Sequence, residues 1–226
     1  MGLELYAKIE PYLGFEDEKQ KLYQIYIDKL QSLGIKNFLD LGCGSGVFMQ
    51  LAIEKDMEPF GVDLSTEMVR RCHEKGLHAK AIDICALDGE YPAVTAVFDV
   101  LNYIEPKNLG RFFGCIAKNL QTGGYFLCDI NTLFGFEEIA QGSLIIDQTN
   151  VCIGIDAEFD GEKLLTKIVL FEQIDNCFQK SVDNIVQYYH DVADLKKFAL
   201  QLVDIDLISL YADQADKALL TFQKGR

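Results

Sequence analysis

The stretch Phe38-Leu39-Asp40-Leu41-Gly42-Cys43-Gly44-Ser45-Gly46-Val47-Phe48-Met49-Gln50-Leu51-Ala52-Ile53 decides the fold. A short apolar run breaks at glycines and a longer apolar run follows, so the order is buried strand, glycine turn, helix. Glycines at such a junction let backbone approach a ligand, and the N-terminus of the next helix offers unpaired N–H groups to a negative group. Val47 stands where the dinucleotide fingerprint G-x-G-x-x-G would place its third glycine. The spacing is G-x-G-x-G, which turns the reading away from NAD.

Outward from this stretch the same alternation repeats. Upstream, Leu22, Ile25, Tyr26, Leu30 and Leu33 recur at spacings of three to four and predict an amphipathic helix over 17–33, closed by Gly34. Downstream, 59–63 reads as a second strand, and Ser65 caps a helix that carries Glu67 in its first turn and stops at Gly76. A third strand is expected at 79–82, with a loop or very short helix at 83–92, and a fourth strand at 93–101. A helix over 106–120, opened by Pro106 and closed by Gly123-Gly124, leads to a fifth strand at 125–130. Strands alternating with helices predict a parallel sheet covered on both faces, with ligands at the strand C-termini. From residue 133 the texture turns β-rich at 144–146, 151–159 and 164–174, with Asp160-Gly161 as a hairpin signal. A helix at 191–202 and strands at 205–211 and 218–222 close the chain.

Composition narrows the function classes. The 226 residues are 49% hydrophobic and 25% charged, which fits a folded domain with a sizeable core. The 21 Lys and Arg against 35 Asp and Glu give a formal charge of −14, which repels phosphate backbones and anionic membrane faces. No apolar run approaches the roughly 18 residues of a membrane helix. At the N-terminus, Glu4 stands where a secretory leader carries base, and Tyr6 stands where a myristoylation signal wants Ser or Thr. Seven cysteines without a C-x-x-C pair suggest neither a disulfide framework nor a zinc site; reduced thiols in a cytoplasmic protein, with no metal, are the expectation.

Three acids end three successive strands on one rim. Asp63 closes the second strand, where a carboxylate accepts both hydroxyls of a ribose. Asp83 closes the third, where an acceptor reads an exocyclic amino group, and Asp40 lies near the end of the first. So many carboxylates serve a pyrophosphate poorly and a cationic adenosine derivative well.

Phe38 to Gly46, followed by Gly61-Val62-Asp63-Leu64-Ser65, resembles the first two motifs of class I S-adenosylmethionine-dependent methyltransferases. The resemblance continues through Ala81-Ile82-Asp83-Ile84, Val97-Phe98-Asp99-Val100-Leu101-Asn102-Tyr103-Ile104 and Gly123-Gly124-Tyr125-Phe126. Cys128-Asp129-Ile130-Asn131-Thr132 is similar to the strand end that precedes an antiparallel insertion in the small-molecule branch. It implies an α/β, Rossmann-like, seven-stranded and mostly parallel sheet with helices on both faces. Residues 1–226 would form a single methyltransferase domain, within which 133–190 is an antiparallel β insertion acting as a lid on the acceptor side.

By the same resemblance, Gly42, Cys43, Gly44 and Gly46 wrap the methionine and ribose portions of S-adenosylmethionine, with Asp40 near its ammonium group. Asp63 holds the ribose hydroxyls. Leu64 and Met68 pack near the adenine, Asp83 accepts its amino proton, Ile84 covers the ring and Phe98 lies along the cofactor. The expected reaction is N- or O-methylation of a small soluble acceptor. His190 leads the candidates for a general base, followed by Asp129, with Tyr189 beside the transferring methyl. A nucleic-acid methyltransferase is the first alternative, although Leu101-Asn102-Tyr103-Ile104 lacks the two prolines of the amino-methylating motif. A cofactor-binding regulator without acceptor chemistry is the second.

Overall fold

The computed structural model describes residues 3–225. Met1 and Gly2, where the reading of the N-terminus begins, lie outside them. Two helices open the chain, α1 (Leu3–Ile9) and α2 (Glu16–Ser32). The alternating unit follows as β1 (Asn37–Leu41), α3 (Val47–Ile53), β2 (Glu58–Asp63), α4 (Thr66–Glu74) and β3 (Ala79–Ala81), then β4 (Tyr91–Ala96), α5 (Leu109–Asn119) and β5 (Leu120–Asn131). The insertion contributes β6 (Gly142–Gln148), β7 (Val151–Phe159), β8 (Lys163–Ile174) and β9 (Cys177–Tyr188). The chain then returns through α6 (Val192–Leu195) to β10 (Gln201–Ile208) and β11 (Lys217–Gln223).

The main sheet has the order β10-β11-β5-β4-β1-β2-β3, with β11 antiparallel to both neighbours. Strand order reverses between β1 and β4, which opens a crevice at their C-terminal ends. Period-two alternation splits the strands between two cores. Phe38, Ala93, Leu127 and Leu219 face α2 and α3, where Leu22, Tyr26, Ile27 and Phe48 cover them. Leu39, Val94, Phe126, Cys128 and Leu220 face the other way, onto Phe112, Phe113 and Ile116 of α5. The insertion is a separate antiparallel sheet of order β6-β7-β8-β9. Its inner face, with Ile153, Ile168, Leu170 and Ile185, packs on Leu5 and Ile9 of α1, and Tyr103 joins the edge of that cluster.

Four local expectations are corrected. The fourth strand stops at Ala96, because Phe98 and Asp99 turn into left-handed backbone (φ 62° and 60°) and a 3-10 turn occupies Val100–Tyr103. Gly123 and Gly124 bend β5 and do not end α5, which stops at Asn119. A side chain on Gly124 would stand 3.0 Å from the Pro92 carbonyl oxygen, at a register shift between β4 and β5. The helix over 191–202 shrinks to Val192–Leu195. The strand after it runs over Gln201–Ile208, since the Asp216 carboxylate gathers the N–H groups of Leu210, Tyr211 and Ala212 into a turn.

The thiol expectation is corrected too. Cys85 and Cys115 form a disulfide, while Cys43, Cys72, Cys128, Cys152 and Cys177 are free. The 3-10 turn Ile84–Ala86 lies against α5 because Asn119, one turn beyond Cys115, donates to the Ile84 carbonyl at 3.1 Å. A separation of 30 residues hides that proximity in the sequence.

Asn102 joins the two sheets. Its side-chain amide donates to the carbonyl of Tyr188 at the end of β9 (2.8 Å), and its oxygen accepts from the N–H of Asn131 at the end of β5 (3.1 Å). Truncating Asn102 to alanine strips both partners inside a buried seam, at a cost of about 1–3 kcal/mol. Urea denaturation of Asn102→Ala should show that loss, and an unchanged midpoint would mean that the seam is held by packing alone.

Candidate functional site

The loop Gly42–Gly46 leaves β1 at the reversal point, and each of its three glycines has positive φ. At Gly46 (φ 79°) an added Cβ would stand 2.3 Å from Leu77 Cδ1, so only glycine brings α3 this close to the end of α4. At Gly44 (φ 52°) an added Cβ would meet nothing within 4 Å, which leaves an open cradle above the loop. Cys43 is buried beneath it with Met49 and Cys72. Burial pushes its thiol above the ordinary range, which suits a filler and not a nucleophile.

Asp63 is bonded to this cradle, Asp40 lies close enough to feel the charge of Asp63, and Asp83 stands two residues past β3, each in a distinct setting. Asp40 is 2% exposed and accepts from Thr95 Oγ1 at 2.9 Å. Burial raises its carboxyl to about 7, Thr95 pulls the other way and Asp63 adds to the rise. Asp63 accepts from the N–H groups of Gly44 (2.9 Å) and Ser65 (2.8 Å), one on each oxygen, and so fixes the loop to the end of β2. Each oxygen keeps a second acceptor site. Asp83 is exposed and uses Oδ1 to cap the turn at Cys85 N–H (2.8 Å), with Oδ2 unused among the described residues.

Of the apolar candidates, Leu64 stands on the rim, 65% exposed, and Met68 is half-buried on the first turn of α4. Phe98 is half-buried and held edge-on by Tyr23, with ring centroids 5.4 Å apart. Ile84 is set deeper than the other three. It is 5% exposed and packs in the core under α5, with its carbonyl accepting from Asn119.

The acceptor-side candidates are placed differently from expectation. Asp129 is fully buried, with four partners: Phe98 N–H (2.8 Å), Asp99 N–H (3.2 Å), Tyr26 Oη (2.7 Å) and Lys217 Nζ (3.2 Å). Four bonds fill a carboxylate, which leaves no lone pair for a general base. His190 is buried with Nε2 3.0 Å from the Leu101 carbonyl oxygen, and burial lowers its pKa. Tyr189 packs edge-on against Phe136 in the insertion's second core. Both line a groove of about 330 Å³ with Pro106, Leu109, Asp191 and Phe198, and none of the three rim acids borders it. Asn102, which bonds the Tyr188 carbonyl, fixes the point at which these two residues leave β9.

What stands on that side instead is an ion cluster that sequence reasoning passed over. Lys217, 1% exposed on β11, bonds Asp99, Asp129 and Asn131 Oδ1. Burial works to lower its pKa, and the two carboxylates outweigh this and raise it. Asp99, sharing one ammonium with a second acid, is raised by burial to about 6. Tyr6 of α1, Tyr103 and Tyr211 surround the pair, each phenol raised chiefly by burial and further by Asp99. The available signal was a charge set inside an apolar run, at Asp99 in Val97 to Leu101 and at Lys217 before Ala218-Leu219-Leu220.

Residues 38–124 match the family model described as a methyltransferase domain. YqeM of Bacillus subtilis (strain 168), a protein named for methyltransferases, is 31% identical over 139 residues, covering 58% of this chain and 56% of its own. The chain thus spans about half the length of the curated relatives it matches. Among solved structures, an S-adenosylmethionine-dependent methyltransferase from Clostridium acetobutylicum ATCC 824 superposes with a TM-score of 0.78 at 20% identity, covering 99% of this chain and 98% of that one. The sugar N-methyltransferase KedS8 from Streptoalloteichus sp. ATCC 53650 gives 0.75 at 14% identity, covering 99% and 93%. With its seven-stranded sheet, glycine loop and acid rim, the chain carries a methyltransferase domain over residues 38–124 and shares the fold of solved S-adenosylmethionine-dependent methyltransferases.

Proposed function

We propose that the chain transfers the methyl group of S-adenosylmethionine to a small acceptor by in-line displacement at the sulfonium. The observation that carries this reading is that Asp40, Asp63 and Asp83 stand at the C-terminal ends of three neighbouring strands, with Asp63 bonded to the glycine loop. They fit a cofactor that is cationic at both its sulfonium and its amino group, has ribose hydroxyls for Asp63 and carries an exocyclic amine for Asp83. The cofactor supplies the activated methyl group. The protein's work is alignment and exclusion of water, with α1 and the insertion 133–190 as the acceptor-side cover of one methyltransferase unit. Phe98 stays in the proposed cofactor wall with Leu64 and Met68.

A small acceptor is favoured by the charge of −14 and by relatives in fold that include a sugar N-methyltransferase and an amino pentose methyltransferase. The same charge argues against nucleic acid as acceptor. No helix among the described residues is long and apolar enough to cross a membrane. The cytoplasmic setting rests on the five free thiols, set against one disulfide.

Calorimetry with S-adenosylhomocysteine tests the cofactor side. Asp63→Ala should weaken binding by about 2 kcal/mol, roughly 30-fold, since two hydrogen bonds to a charged acceptor vanish together. Equal affinities in wild type and variant would put the ribose elsewhere.

The same titration has a pH signature from Asp40. In the free protein this carboxyl keeps its proton up to about pH 7, whereas the cofactor's ammonium favours the ionised form. Binding therefore expels a proton below pH 7. Affinity should rise with pH, by at most about tenfold per unit, and level off above 7. Asp40→Asn should flatten the profile, and a wild-type profile flat between pH 5 and pH 8 would contradict the pairing.

A further inference from the structure

The turn Phe98-Asp99 contains two consecutive non-glycine residues with positive φ, a conformation that costs on the order of 1–3 kcal/mol each and persists only when the surroundings impose it. Asp129 imposes it here by accepting both N–H groups. The strained turn aims the Asp99 carboxylate across the end of β4, immediately after Phe98. One oxygen, Oδ1, meets Lys217, while Oδ2 accepts no hydrogen bond among the described residues, and the side chain is 18% exposed.

Among the described residues around that carboxylate, the other charged groups are Lys217, Asp129 and Glu10. Lys217 of β11 keeps its charge, and Asp129 of β5 is filled by four partners. Tyr6 of α1, Tyr103 and Tyr211 keep their phenol protons, and Glu10 at the end of α1 is engaged by Lys19. One ammonium serves two carboxylates, so the cluster carries a net negative charge within aromatic walls. A carboxylate with a free oxygen, set among tyrosine rings, matches a small cation; a neutral hydroxyl would leave that charge uncompensated.

We propose that the methyl acceptor is a small amine and that Asp99 is the residue that selects it, binding its ammonium form on the carboxylate oxygen left unpaired by Lys217; the nitrogen gives one proton to bulk water, its lone pair then forms the N–CH3 bond, and the S–CH3 bond breaks to leave S-adenosylhomocysteine. This deepens the methyltransferase reading and rests on it.

The test uses the full chain saturated with S-adenosylhomocysteine, titrated with cyclohexylamine or with cyclohexanol as its neutral counterpart. At pH 8 the amine should bind the wild-type complex and the alcohol should not. Asp99→Asn, which tolerates left-handed backbone, should weaken the amine at least tenfold with S-adenosylhomocysteine affinity unchanged. In wild type, amine affinity should fall as Asp99 protonates near pH 6. The proposal is overturned if the amine fails to bind, if the alcohol binds equally, or if Asp99→Asn binds the amine as wild type does. Should Asp99→Asn lose S-adenosylhomocysteine as well, the wild-type titration decides, and constant amine affinity from pH 8 to pH 5 overturns the proposal. Failure of wild type to bind S-adenosylhomocysteine is a different result, which removes the cofactor reading itself.

Discussion

A buried ammonium between two carboxylates organises the C-terminal end of the sheet. Lys217 lies on β11, Asp129 on β5, and Asp99 just beyond β4, so one cation ties three strand ends that are up to 118 residues apart in sequence. Desolvating such ions costs several kcal/mol apiece, and that cost is offset only if their hydrogen-bonding capacity is filled. The structure meets this condition at Asp129, where two backbone N–H groups and the Tyr26 hydroxyl join Lys217. The same bonds bend the chain at Phe98 and Asp99. Without that bend, the 3-10 turn that carries Asn102 and Tyr103 would not face the insertion, and the seam to β9 would have no clamp.

Two kinds of order therefore meet at the crevice. On the cofactor side the geometry is local: a strand, a glycine loop and a helix, with an acid from the next strand bonded to the loop backbone. Around the ion cluster it is assembled from α1, the turn after β4, β5 and β11, each contributing one or two side chains. Burial raises carboxyl groups on both sides, to about 7 at Asp40 and about 6 at Asp99, which makes each sensitive to an arriving cation. A sulfonium cofactor with its amino group near Asp40 and an amine near Asp99 would supply one cation to each.

This division explains what the sequence disclosed. The order of strands and helices, Ser65 as a cap, the 160–161 hairpin and the rim acids are written in neighbouring residues, where periodicity and turn chemistry act. The end of β4 was not legible, because the apolar run Val97 to Leu101 is broken by Asp129, thirty residues away, and by no local glycine. His190 and Tyr189 were drawn to the crevice by their place after the insertion. Only the amide of Asn102, in contact with Tyr188, shows that they turn toward a different groove. The Cys85–Cys115 bridge was hidden for the same reason, since the contact between the 3-10 turn and α5 has no trace in cysteine spacing.

A crystal structure of the full chain with S-adenosylhomocysteine tests the account most directly. It should show the ribose hydroxyls on Asp63, the amino group beside Asp40, and the sulfur turned toward Asp99 and its tyrosines. A nucleoside bound away from Asp63, or a sulfur directed into the groove lined by Tyr189 and His190, would contradict it.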